Sequence, residues 1–202
     1  MDSFEKLKEI FGHFPGIGPR QAERFAYYLL GRDQNYLEEL KSLLTTLKRD
    51  VTQCTECMRY FAKKNNLSIC SICSNPNRDD LTLMLVAKDN DLIAVEKSGV
   101  FSGKYFILGG LVPILEKVPE KRVRLNQLKS KIENSKNLTE VILALSATHE
   151  GENTSDIIEK IIKEVNSEIR VSRLGRGLST GLEIEYSDID TIKEALKNKS
   201  TN

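Results

Sequence analysis

The 202-residue sequence has no tryptophan, only two histidines and five prolines, and its aromatic content is 6%. His13 and His149 are far apart in the chain and every cysteine falls in a metal-type pair, so a Cys–His or Ser–His–Asp arrangement is not expected. A His149–Ser146 pair is the one nucleophile–base combination left open. No apolar run approaches the ~20 residues that span a bilayer. The start, Met1 to Lys6, carries no basic-then-apolar targeting pattern. The expectation is a cytoplasmic protein with no membrane partner. An excess of one charge is also lacking. With a net charge of +1, any nucleic-acid binding must come from local patches and not from a global field. There is no internal repeat, and the only biased segment is the polar tail from Lys197 to Asn202.

Cysteine is scarce too, but its placement is informative. All four cysteines fall in two C-x-x-C pairs, Cys54/Cys57 and Cys70/Cys73, with twelve residues between the pairs. Each pair puts two thiolates on one tight turn, and two such turns facing each other form a tetrahedral all-sulfur zinc site. Two disulfides or four unrelated core cysteines are the alternatives, but reduced cytosolic conditions disfavour the first. Four thiolates leave zinc no open coordination position, so the expected metal is structural, one Zn²⁺ per chain.

Residues 1–50 carry helical periodicity. Phe4, Leu7, Ile10 and Phe11 form one apolar stripe, Ala22, Phe25, Ala26, Leu29 and Leu30 another, and a third helix is expected from Tyr36 to Arg49. Between the first two runs lies Phe14-Pro-Gly-Ile-Gly-Pro-Arg20. Gly16 and Gly18 predict a tight turn that leaves backbone N–H groups bare at a helix start, an arrangement suited to phosphate. Arg20 and Arg24, four residues apart, lie on one face beside it. A hairpin corner that simply packs, or that serves a protein interface, is the alternative.

After Cys73, the polar loop Ser74 to Asp80 predicts a boundary. Leu81 to Ala87 reads as a strand buried on both faces, and further strands are expected at Lys104–Leu108, Val141–Leu145, Ile169–Arg173 and Leu182–Tyr186. Helices are expected at Leu92–Ser98, Ser155–Val165 and Ile189–Leu196. This alternation predicts a mostly parallel α/β sheet. The segment Glu116–Lys136 is rich in lysine and arginine. It reads as a solvated helix, with a supplementary backbone-binding surface as the sharper alternative.

In this order, the parts resemble the RecR family of bacterial recombination mediators. The carrying stretches are Phe14-Pro-Gly-Ile-Gly-Pro-Arg-Gln-Ala-Glu-Arg24, Cys70-Ser-Ile-Cys-Ser-Asn-Pro76, His149-Glu-Gly-Glu-Asn-Thr154 and Arg173-Leu-Gly-Arg-Gly-Leu-Ser-Thr-Gly-Leu-Glu-Ile-Glu-Tyr186. Val112–Pro119 lacks the glycine-rich loop associated with the family, and Ser179 stands where many relatives carry proline. The resemblance implies a multidomain α/β protein. Its parts would be an all-α helix-hairpin-helix domain (1–52), a four-cysteine zinc finger (53–78), a Toprim-like domain (79–168) and a C-terminal strand/helix oligomerisation segment (169–202). It also implies a ring-like homotetramer that surrounds DNA and works with RecO, and in many bacteria RecF, to load RecA on single-stranded DNA. Gly16, Gly18, Arg20 and Arg24 would be the DNA-binding residues.

Toprim enzymes hold Mg²⁺ with a glutamate after strand one and an Asp-x-Asp after strand three. By similarity those positions fall on Ala87, Ser146 and Thr148, while Glu150, Gly151 and Glu152 of the framework remain. The expectation is a protein that is not an enzyme. Asp89 and Asp91 read as helix-start residues, with a vestigial ion site as the alternative. Gly175 to Gly181 lacks the Gly-Lys-Ser/Thr of a P-loop and reads as a close-approach turn. The rival functions are a Toprim-type metal-dependent nuclease or topoisomerase fragment, and a protein-binding scaffold without DNA contact.

Overall fold

The computed structural model describes residues 2–63, 67–175, 177–178, 181 and 183–198. Ser179, Leu182 and the end of the polar tail lie outside them, as do Arg176 and Thr180 of the glycine-rich segment. The chain divides into two compact units, Met1–Thr52 and Gln53–Asn202.

The first unit is helical up to the start of β1, with α1 (Ser3–Gly12), α2 (Pro19–Leu30) and α3 (Gln34–Asp50). Asp2 caps α1 through Glu5 N at 2.8 Å, and Asp33 caps α3 through Tyr36 N at 2.9 Å. Pro19 sits in the first turn of α2, where its missing N–H costs nothing. Helices α1 and α2 pack closely because the facing residues on α2 are small: Ala22 and Ala26 are fully buried. Around them Phe11 meets Phe25 edge-on at 5.8 Å, and Phe4 meets Tyr27 at 4.9 Å.

The second unit is α/β. A two-stranded ribbon, β1 (Val51–Gln53) with β2 (Tyr60–Ala62), brackets the first cysteine pair. The main sheet contains β3 (Asp79–Val86), β4 (Gly103–Ile107), β5 (Glu140–Ala144) and β6 (Arg170–Arg173) in the order β4-β3-β5-β6. All its pairings are parallel, with Met84 in register with Tyr105 on one side and Ile142 on the other. Helices α4 (Asp89–Ser98), α5 (Leu125–Glu133), α6 (His149–Val165) and α7 (Ile189–Lys197) complete the unit, with single 3₁₀ turns at Pro119–Lys121 and Ile184–Tyr186.

Alternation along β3 divides the core in two. Leu83 and Leu85 pack with Leu128 and Ile132 of α5 and Ile158 and Ile162 of α6. Met84 and Val86 face the other way, against Leu92 of α4 and Cys54, Cys57, Cys70 and Ile72. The cysteine turns therefore occupy ground on the second face that a further helix covers in a doubly wound sheet.

Edge strand β4 is covered at both ends. In a parallel strand, alternate residues direct their backbone groups to opposite neighbours. Leu108 N donates to Val86 O at 2.9 Å, so Ile107 and Gly103 face outward. There Ile107 N donates to Cys57 O at 2.9 Å, Ile107 O accepts from Arg124 at 2.9 Å, and Gly103 O accepts from Arg78 at 3.2 Å.

Two expectations need correction. The alternating Leu182-Glu-Ile-Glu-Tyr186 looks like a strand, yet Ile184–Tyr186 is a 3₁₀ turn, and no strand lies beyond Arg173 among the described residues. Alternation needs a neighbouring strand to pair with, and Ile184 and Tyr186 are largely exposed. Helix α6 begins at His149, six residues before Ser155. Gly, Asn, Thr and Ser fill its first turns and hide the start, but Thr148 caps it by accepting from Gly151 N at 3.2 Å. Gly151 is required there, because a Cβ would lie 1.9 Å from Ser146 O.

Candidate metal centre and helical hairpin

The four cysteine Sγ atoms lie within 4.8 Å of one another; Cys54, Cys57 and Cys70 are buried and Cys73 partly so. Cys57 and Cys70 Sγ are 3.6 Å apart. That is too far for a disulfide at about 2.05 Å and close to the edge of about 3.8 Å expected for a tetrahedron with Zn–S bonds of about 2.3 Å. Both pairs sit on turns of one kind: Met58 N donates to Cys54 O, and Ser74 N to Cys70 O, each at 3.0 Å. Cys70 N donates to Cys54 Sγ at 3.3 Å, a bond that suits a thiolate. Met58 leaves its turn in the left-handed region at φ 65°, and Gln53 holds it by donating to Met58 O at 2.9 Å. Contacts with the neighbouring thiols, Cys57 first, draw Cys54 below the ordinary thiol pKa, while contact with Cys54 pushes Cys57 and Cys73 up. Four deprotonated sulfurs this close repel strongly, and a cation at their centre removes the repulsion. The donor set therefore fits a metal ion, and among the described residues no further His, Cys, Asp or Glu joins the four sulfurs.

The centre is tied to the sheet by more than packing. Glu56, inside the first C-x-x-C, pairs with Lys131 of α5, and Tyr60 N donates to Asp89 Oδ1 at 2.9 Å. Asp91 Oδ2 accepts from Lys88 N at 2.9 Å. Asp89 and Asp91 thus both act at the start of α4, as helix-start residues do. Sequence reading missed Arg78 in the polar loop after Cys73. It pairs with Glu96 and donates to Phe101 O at 3.1 Å, while Tyr105 Oη donates to Glu96 Oε1 at 2.6 Å. Burial alone would raise the Glu96 pKa, but its bonds to Arg78 and Tyr105 win and hold it below the ordinary value. Burial and Glu96 push the Tyr105 phenol upward.

In the hairpin, Gly16 adopts φ +77° and Gly18 is the N-cap of α2. Among the described residues the backbone N–H groups of Gly16, Gly18 and Arg20 have no hydrogen-bond partner. Open space surrounds the Cα of both glycines. Arg20 and Arg24 are exposed and form no ion pair among the described residues. The nearby acid, Glu23, is instead taken by Lys8 of α1 at 3.4 Å. The turn thus presents three bare donors and two unpaired guanidinium groups to solvent, a set complementary to phosphate.

Ala87, Ser146 and Thr148 come together at the carboxyl ends of β3 and β5, where the strand order reverses. This is where ligands bind in open α/β sheets. The cleft there, about 400 Å³, is lined mainly by apolar residues such as Val86, Ala87, Leu111 and Leu174, together with Lys88, Asp91 and Ser146. Ser146 Oγ and Thr148 Oγ1 are 3.1 Å apart and bond each other. Glu152 points away to Arg173 at 2.7 Å. The basic segment is partly committed to structure: Arg122 pairs with Glu116 at 2.7 Å, Arg124 caps β4, and Lys131 holds Glu56.

Residues 4–48 match the family model described as RecR, helix-hairpin-helix, and residues 82–175 match that of the Toprim domain. The chain is 37% identical over 195 residues to a recombination protein RecR of Lactobacillus acidophilus, covering 96% of this chain and 95% of the relative. A recombination protein RecR of Legionella pneumophila is 34% identical over 200 residues, covering 99% and 97%. One from Ureaplasma urealyticum is 31% identical over 196 residues, covering 97% and 94%. No helix among the described residues is long and apolar enough to cross a membrane.

Proposed function

Because the chain belongs to the RecR family of recombination proteins, we propose that it is a non-catalytic DNA-binding mediator of recombinational repair that grips the sugar–phosphate backbone through its N-terminal hairpin. The observation that carries this reading is the bare N–H groups of Gly16, Gly18 and Arg20 beside the unpaired Arg20 and Arg24. Phosphate oxygens satisfy both sets of donors at once without reading sequence. The four-cysteine centre holds zinc through Cys54, Cys57, Cys70 and Cys73; bound there, the ion supplies a cross-link and no reactive position. The polar-acid requirement of Toprim chemistry is unmet at Ala87, Ser146 and Thr148, which supports a role without phosphoryl transfer.

One hairpin on a subunit of net charge +1 is a weak DNA ligand. Several copies joined around one molecule of DNA gain through effective concentration, so a ring-like tetramer fits the reading. Exposed apolar side chains favour assembly of this kind: Leu43, Leu44 and Leu47 on α3, and Ile184, Tyr186 and Ile189 near the C-terminus. Partnership with RecO, with RecF where present, and RecA loading on single strands complete the proposal, as do the divisions at 52, 78 and 168 and a place in the cytoplasm at the nucleoid.

The test is fluorescence anisotropy on single- and double-stranded DNA across a salt series. On duplex, log affinity falls with log salt at about 0.9 per phosphate contact. The expected result is a steep slope that flattens in the Arg20→Ala/Arg24→Ala double variant. Unchanged affinity and slope in that variant would remove the hairpin from DNA binding. Mg²⁺-dependent plasmid cleavage or relaxation that disappears in Glu150→Ala would replace the mediator with an enzyme.

A further inference from the structure

Arg20, Arg24, Tyr28 and Arg32 follow one another at intervals of four residues, a spacing that aligns side chains in one row along a helix surface. The row spans about 18 Å. All four residues are exposed. Although Arg32 lies just past the end of α2 at Leu30, its guanidinium stays on the row: Cζ is 3.9 Å from the Tyr28 ring centroid. Tyr36, at the start of α3, completes the group, edge-on to Tyr28 at 6.3 Å and with Arg32 at 5.7 Å from its centroid. Tyr28 keeps 48% of its surface open and Tyr36 38%.

A grip on duplex backbone has use for the cations of this row but none for its aromatic end, since duplex bases are stacked inside. A single strand offers both phosphates and unstacked bases, and rings and guanidinium planes bind base faces without sequence preference. The Tyr28–Arg32 contact is itself an exposed cation–π pair, weak as a staple between helices but already flat and oriented. The neighbouring Tyr27, 60% exposed, lies off this row and rests one face against Phe4 at 4.9 Å.

We propose that Tyr28, with Arg32 stacked on it and Tyr36 beside it, is a base-stacking platform that continues the Arg20–Arg24 phosphate track and gives the hairpin a preference for single-stranded nucleic acid. This rests on the phosphate-binding reading of the hairpin but is separable from it. The full-length protein is titrated with fluorescent oligothymidylate, with an abasic strand of equal length, and with a duplex. Wild type binds oligothymidylate more tightly than the abasic strand. Tyr28→Ala lowers affinity for oligothymidylate about five- to a hundred-fold. It leaves abasic and duplex binding, and the salt slope, unchanged, and Tyr28→Phe retains wild-type behaviour. Equal wild-type affinity for oligothymidylate and abasic strands would overturn the platform, as would a Tyr28→Ala loss shared equally by all three probes. A silent Tyr28→Ala beside a weakened Arg20→Ala/Arg24→Ala would overturn it while leaving the phosphate track standing. No binding to any probe would overturn both.

Discussion

The two units of the chain solve opposite problems with the same kinds of residue. In Gln53–Asn202 the apolar side chains fill two cores, one on each face of a parallel sheet, and the arginines of the loops turn inward: Arg78 to Glu96, Arg124 to Ile107 O. In Met1–Thr52 only Ala22 and Ala26 are fully buried, Leu30, Leu43, Leu44 and Leu47 stay exposed, and Arg20 and Arg24 pair with nothing among the described residues. A unit of some 50 residues buries too little surface to be more than marginal alone. The difference teaches where the packing lies: the second unit holds two filled cores although Ile184, Tyr186 and Ile189 stay exposed, whereas the first buries little and leaves its leucines and arginines in solvent.

Metal removal should break this comparison most sharply. Structural zinc sites supply about 10 kcal/mol or more in small metal-dependent domains. Chelation, or Cys57→Ser, is expected to cost the second unit several kcal/mol. Hydrogen exchange should then rise around 53–62 and 103–107 while residues 3–30 keep their protection. Uniform loss across both units would show that the centre does not belong to one unit alone. Next in size, Phe106→Ala, at a fully buried position, should destabilise the second unit by about 3–5 kcal/mol in a denaturant titration. Among the described residues of the first unit no side chain larger than alanine is fully buried, so no single truncation there is expected to cost as much.

A smaller effect is expected from Glu96→Gln. The Glu96 carboxylate is held below its ordinary pKa in the folded chain, so its stabilising contribution is present above the unfolded value of about 4.3. That contribution is lost as pH falls through the lower folded value. Acid unfolding of the second unit should therefore become less steep in the variant, and stability near neutrality should fall by about 1–3 kcal/mol. An identical acid profile would mean that the Arg78–Glu96–Tyr105 cluster is not coupled to folding. Smallest of all, Arg20→Ala/Arg24→Ala should leave the melting temperature unchanged within error while changing DNA affinity. A clear drop in stability would mean that these arginines serve the fold.

How much of this was legible beforehand depended on whether the determining contacts were local. The cysteine spacing was sufficient to expect the four-sulfur cluster, and the apolar run Leu81–Ala87 announced a strand buried on both faces. The glycine turn with Arg20 and Arg24 was readable for the same reason, since a turn and an i,i+4 face are set within a few residues. Arg78, Arg124 and Lys131 were not legible, because their partners lie 17 to 75 positions away. The start of α6 was hidden by Gly151, whose presence is explained only by the approach of Ser146 O. Leu182–Tyr186 misled for the converse reason: its alternation is strand-like, but no strand pairs with it among the described residues.

The covering of β4 has a consequence for self-association. An uncovered strand edge is a template on which other chains add, and flat parallel edges are poor at refusing them. Here the outward groups of Ile107 and Gly103 are occupied by Cys57 O, Arg124 and Arg78, so the cysteine turn sits where an intruding strand would have to dock. Loosening of the cysteine turn would therefore uncover that part of the sheet border.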